Sequence, residues 1–233
     1  ERIEQEVKKM QYIASVSYGK DSLYMLEIIK QHNMPLDRIV HAEIMATPAI
    51  PADLPPMMEF KKHADKIIKE KYGIEVEHIH APKSYEEYFY RVTQKGKHKN
   101  KRYGLPHHRG SWCNSRLKMS VLNKFNKKDI TQYIGIAVEE TQRYHNLNDR
   151  KISPLVEYGV SEQQCYDWCK ENDLLSPIYQ HAARGGCWFC HNQRLSELRH
   201  LRKEYPEYWQ LMLKWDMDSP TSFKADGTKI KDL

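Results

Sequence analysis

The chain has 233 residues, 40% hydrophobic and 29% charged, with 5 cysteines and a net charge of +6. That length suits one large domain or a domain with an appendage, while the mean hydropathy of −0.80 and the lack of any apolar run near ~18 residues exclude a membrane-spanning segment. An odd number of cysteines, two of them in a Cys-x-x-Cys, suits a reduced, cytoplasmic setting with a metal or a reactive thiol better than a disulfide framework. No secretory apolar region opens the chain, which begins at Glu1 rather than Met and so leaves its natural start open.

In chain order, residues 1–10 predict a short amphipathic helix with Ile3, Val7 and Met10 on one side. Residues 11–16 predict a buried strand, and Leu23, Leu26 and Ile29 a helix running to about residue 32. A second strand follows at 39–45, then a proline-rich stretch that cannot be helix interior. A helix over 57–72, a third strand over 74–80 and a helix over 84–92 opened by Ser84 come next. Beyond a basic segment, 112–125 reads as helix and 131–137 as a fourth strand. Strands alternating with helices predict an α/β fold, a doubly wound, mostly parallel sheet with helices on both faces. From about residue 152 the pattern turns helical, with helices at 161–172, 193–204 and 206–215 and an end that reads as frayed or cut short. The expected division is therefore a nucleotide-binding α/β domain over 1–151 and a helical, cysteine-bearing region over 152–233.

The charge is concentrated. Residues 94–110 carry Lys95, Lys97, Lys99, Lys101, Arg102 and Arg109 with no acid, and these six equal the whole net charge. Residues 95–109 are thus a candidate contact for nucleic acid, against a plain solvated loop.

Between the first strand and its helix stands Ser17-Tyr18-Gly19-Lys20-Asp21-Ser22. A strand turning sharply into a helix presents backbone N–H groups and the positive end of the helix dipole, a ready anion site. Ser17 and Ser22 add hydroxyls, Gly19 permits close backbone approach, and Lys20 adds a point charge suited to phosphate. Asp21 fits beside phosphate as a helix cap, a loop brace or a contact through Mg²⁺. This is no Walker A loop, whose Gly-x-x-x-x-Gly-Lys-Ser/Thr pattern is absent.

SYGKDS after a strand resembles the SGGKDS-type PP-loop of the adenine nucleotide α-hydrolase superfamily, and more narrowly the phosphoadenosine phosphosulfate reductase family. SWCNSRLKM (111–119), GIAVEETQR (135–143) and RGGCWFC (184–190) resemble three further elements of that family, the last in its bacterial and phage members, in the family's order. The resemblance implies an adenine nucleotide, ATP or phosphoadenosine phosphosulfate, with its phosphates on Ser17, Gly19, Lys20, Asp21 and Ser22. It implies Glu140 and Arg143 at the mouth of the sheet and Lys118 facing the same pocket, which makes Lys20, Asp21, Lys118 and Arg143 the candidate catalytic residues. Read without it, Glu140 and Arg143 are an exposed i,i+3 ion pair. Two departures stand out: Tyr18 replaces a loop glycine, which suits a residue that keeps negative φ, and the Glu-Cys-Gly-Leu-His tail of the sulfate-reducing members is missing.

Cys187 and Cys190 form one chelating pair of the four ligands that tetrahedral zinc or an iron–sulfur cubane requires. Cys113 and one of Cys165 or Cys169, which share a helix face, complete a set. The resemblance favours Cys169 and implies a [4Fe-4S] cluster; His191 as a ligand would favour Zn²⁺. A redox dithiol is a further reading of the pair. The expected function is ATP cleavage at the α-phosphate to activate an acceptor in sulfur transfer or nucleic-acid modification, with a sulfur donor protein as partner. Sulfonucleotide reduction and a non-catalytic binding module with structural zinc are the alternatives.

Overall fold

The computed structural model describes residues 10–96, 99–106, 111–182, 185–224 and 226–232. Nine residues of the expected N-terminal helix, Lys97 and Arg109 of the basic segment, and His107 and His108 lie outside them. In chain order the elements are β1 (Gln11–Ser15), α1 (Lys20–Gln31), β2 (Arg38–Glu43), α2 (Pro55–Tyr72), β3 (Val76–His80) and α3 (Tyr85–Phe89). A π-helical stretch (Asn114–Met119) leads into α4 (Ser120–Leu122), then β4 (Ile130–Ile134), α5 (Thr141–His145), β5 (Lys151–Ile152) and α6 (Pro154–Glu157). The last helices are α7 (Glu162–Glu171), α8 (Leu195–Glu204) and α9 (Pro206–Asp218). The expected helix over 112–125 is thus broken into π, α and 3₁₀ turns.

The chain forms two compact units. The first, residues 1–42, 59–79 and 122–176, carries an α/β fold built on a five-stranded sheet of order β3-β2-β1-β4-β5. β1 pairs in parallel with both β2 and β4, and β4 in parallel with β5. Central strands buried on both faces need continuous apolar runs, and β1 supplies Ile13 and Ala14, both fully buried. Leu23, Leu26 and Ile29 of α1 are buried at the expected helical spacing. The second unit comprises residues 43–58, 80–121 and 177–233. Its core is aromatic: Tyr85, Phe89, Trp112, Trp188, Phe189 and Trp215 are all buried.

The division differs from the expected break at residue 151. β5 begins at Lys151 and completes the sheet beside β4, so the chain past that point is still part of the first unit. α6 and α7 then pack on α1 and keep residues up to 176 there. Two residues of β5 carry too little pattern to be legible as a strand. The strand order reverses direction between β1 and β4, and in sheets of this kind ligands bind beyond the carboxyl ends of the strands at that point.

Candidate functional site

The loop leaving β1 sits at that reversal. Ser22 Oγ is its hub: it accepts from Ser17 N at 3.0 Å, meets Ser17 Oγ at 3.1 Å and donates to Gly19 O at 2.9 Å. The two serines therefore tie the end of the strand to the first turn of α1. Gly19 is the N-cap, extended at φ −81° and ψ 156°, and no side chain caps it. The first N–H groups of a helix lack intrahelical partners, so an uncapped start with two hydroxyls beside it can receive an oxyanion.

Tyr18 departs from expectation. Its φ is +58°, a left-handed conformation that costs a non-glycine residue roughly 1–2 kcal/mol. The side chain explains why it persists. The ring is fully buried, lies edge-on to His41 at 4.8 Å and sits under the Lys61 ammonium at 5.6 Å. Its hydroxyl donates to Asp65 Oδ1 and lies 3.1 Å from His78 Nε2, which is itself 2.9 Å from Asp65 Oδ2. His41 is oriented in turn: Lys61 has only protons to give, so His41 Nε2 accepts at 2.9 Å and Nδ1–H donates to Val16 O at 2.8 Å. The tyrosine is an anchor holding the strained loop to the sheet. Asp65→Ala should lower the unfolding free energy by about 1–3 kcal/mol, the cost of weakening a buried hydroxyl's bonding. Urea unfolding checks this, and an unchanged midpoint would remove the anchor.

Lys20 pairs with Asp21 and with Glu162 of α7, each at 2.8 Å. Burial works against its charge, but these carboxylates outweigh it and hold the ammonium's pKa above its ordinary value. Glu162 N in turn donates to Glu139 Oε2 at 3.0 Å, linking the start of α7 to the segment after β4. Nothing local in the sequence marks Glu162, so distant in the chain, as a partner of the loop. Gly135, just past β4, lies against the start of the loop's helix: a Cβ built on it would stand 2.7 Å from Ser22 Cα and N and 2.8 Å from Asp21 C. Only glycine fits that approach.

Cys165 and Cys169 share the buried face of α7. Cys169 Sγ donates to Lys20 O at 3.5 Å. Burial, then Asp21, pushes its thiol up to about 12 and pushes that of Cys165 higher still. Arg143 Nη1 bonds both oxygens of Glu140, at 2.7 and 2.9 Å, so these two form the i,i+3 ion pair beside a shallow concavity lined by residues 139–143 and 146.

In the second unit a cavity of about 600 Å³ is lined by Cys113, Cys187, Cys190, His191, Ser111 and Asp53 among others. Cys187 and Cys190 flank a tight turn, with Cys190 N donating to Cys187 O at 3.0 Å. Trp188, between them, is pinned by its indole N–H on Pro51 O at 2.9 Å and by its backbone N–H on Ala52 O at 2.9 Å. Cys113 stands at the head of the π-helical stretch, a conformation frequent at functional sites. Burial, then Cys190, pushes the Cys113 thiol up to about 11. Burial, then Asp53 and the other two thiols, holds Cys187 well above its usual value, and Lys118 opposes this. Lys118, which the resemblance assigns to phosphate, thus has Cys187 as a neighbour. His191 Nε2 is 3.4 Å from Ser111 Oγ. Three of the four expected metal ligands share this cavity; Cys169 belongs to the first unit.

The described part of the basic segment is a hairpin. Val92 and Arg102 form an antiparallel bridge, Thr93 N donates to Lys101 O at 2.9 Å, and Tyr103 N donates to Arg91 O at 2.8 Å. Lys95, Lys99 and Lys101 are exposed on it, and Arg102 is tied to Asp218 at 3.0 Å. Among the described residues no helix is long and apolar enough to cross a membrane.

No family model matches the chain. An uncharacterised protein of Methanocaldococcus jannaschii is 22% identical over 134 residues, a stretch covering 51% of this chain and 27% of that protein. The chain thus matches about a quarter of that relative's length. The U34-tRNA thiolase NcsA from Methanococcus maripaludis, solved with its [4Fe-4S] cluster, is similar at a TM-score of 0.44 and 16% identity, over 88% of this chain and 73% of that one.

Proposed function

We propose that the chain is a PP-loop enzyme that binds ATP between β1 and α1 and cleaves it at the α-phosphate to activate an acceptor for sulfur transfer. The observation that carries this reading is the serine-braced, uncapped start of α1 with Lys20 beside it, at the reversal point of the sheet. Ser17, Gly19 and Ser22 would hold phosphate oxygens, Lys20 would balance their charge, and Asp21 would reach them through Mg²⁺. Arg143 would exchange its carboxylate partner for phosphate, and Glu140 would be released toward the mouth of the site. An acceptor oxygen attacks the α-phosphorus, the bond to pyrophosphate breaks, and AMP remains on the acceptor. A sulfur nucleophile from a donor protein then displaces AMP. Positioning and charge stabilisation by the loop carry most of the rate.

The donor set of the second unit fits a thiophilic metal: three free thiols line one cavity. A [4Fe-4S] cluster held by Cys113, Cys187 and Cys190 would supply an iron with a coordination position open to sulfur, whereas zinc on the same thiolates with His191 would be structural. The exposed lysines of the hairpin fit a polyanionic acceptor, a nucleic acid.

One experiment tests the reading. The protein is purified anaerobically, its iron, zinc and sulfide are counted, and it is incubated with Mg²⁺, ATP, candidate RNA or DNA acceptors and inorganic sulfide as the sulfur nucleophile. Pyrophosphate and AMP in equal amounts are expected. Sulfite release from phosphoadenosine phosphosulfate with reduced thioredoxin in a parallel incubation, with no pyrophosphate from ATP, would replace this reading with sulfonucleotide reduction.

A further inference from the structure

Tyr85 is 1% exposed, and its hydroxyl is buried with no hydrogen-bond partner among the described residues. Phenylalanine would fill the same space without leaving a buried donor unsatisfied, so a tyrosine here implies an acceptor that the described residues do not supply. The ring has no freedom to turn the hydroxyl elsewhere. It stacks on Trp112 at 5.0 Å and is tilted against Phe189 at 4.3 Å and Trp215 at 5.0 Å. Its backbone is fixed as well: Ser84 and Glu87 form a capping box around it, and Tyr85 N donates to Met45 O at 2.8 Å.

Trp112 immediately precedes Cys113, and Phe189 lies between Cys187 and Cys190. The phenol is therefore wedged between the two segments that carry the three thiols, and burial, then those three thiols, holds its pKa well above the ordinary value. We propose that Tyr85 is a positioning residue of a metal centre on Cys113, Cys187 and Cys190, donating its hydroxyl proton to a metal-bound sulfur. The inference rests on the reading of those cysteines as ligands. A metal-bound thiolate or sulfide accepts such a bond better than a free thiol does. The bond withdraws negative charge from the sulfur, stabilises the reduced centre and fixes the orientation of the ligand.

The test compares wild type with Tyr85→Phe, both purified anaerobically and loaded with ferrous iron and sulfide, with zinc alone as a second probe. Equal metal per chain is expected in the two proteins. The variant should show an altered sulfur-to-iron absorption band, a reduction potential shifted to more negative values and, with either metal, loss to a chelator about 10-fold faster or more. The metal-free variant should melt no lower than metal-free wild type, because it has lost only an unsatisfied hydroxyl. Identical spectrum, potential and chelator rate would overturn the inference, as would a lower melting temperature of the metal-free variant. If wild type binds neither metal, the ligand reading itself falls, and that outcome is distinct from one in which both proteins load and behave alike.

Discussion

Lys20→Ala should cut pyrophosphate release from ATP by about 10²–10³-fold, the usual cost of removing one preorganised charge from a reacting site. The lysine is mostly buried at the head of α1, and two carboxylates at 2.8 Å keep it charged and localised. Those carboxylates also set the control. Glu162→Gln removes one of the two while leaving the loop itself intact, so turnover should stay within about 10-fold of wild type, well above the Lys20→Ala value. Lys20→Ala leaves Asp21 and Glu162 without a cation between them, so its folding must be checked by urea unfolding before its rate is read. A folded Lys20→Ala protein with wild-type turnover would remove the loop from the mechanism.

Gly135→Ala should both destabilise the first unit and empty the proposed nucleotide site. The added methyl meets backbone atoms of Asp21 and Ser22 at 2.7–2.8 Å, and a helix backbone cannot rotate aside as a side chain can. The start of α1 must move away from β4, and inserting a methyl into such packing typically costs about 1–3 kcal/mol. Because Ser22 Oγ is the hub joining Ser17 to Gly19, the shift spreads through the whole loop. Calorimetry with a non-hydrolysable ATP analogue should show weaker binding than the stability loss alone accounts for. Wild-type affinity in the variant would show that the close approach is structural only.

Much of this was legible in the sequence because it depends on local signals. The apolar run of β1, the helical spacing of α1 and the Ser, Gly, Lys and Asp between them occupy about twenty consecutive residues, and the structure follows them closely. Short or non-local features were hidden. β5 has two residues, and the π-helical stretch after Cys113 keeps a nearly helical period, so a regular helix was the natural expectation. Tyr18 was expected at negative φ because a left-handed tyrosine is costly. What reverses that expectation is a set of contacts to Asp65 and His78, 47 and 60 residues away. The pairing of Cys187 with Cys190 is visible in four residues, whereas Glu162 beside Lys20 and the partnerless hydroxyl of Tyr85 exist only in three dimensions.

The interleaving of the two units bears on how the chain acquires its structure. Every segment of the sheet-bearing unit has been synthesised once residue 176 is made, when the aromatic unit still lacks Trp188, Phe189 and Trp215. Until those arrive, Tyr85, Phe89 and Trp112 have no ring partners from residues 177–233 and present greasy surface to the cell. Contacts of such long sequence separation form late and leave nascent chains open to aggregation, so holdase chaperones should be needed most while residues 177–233 are being synthesised.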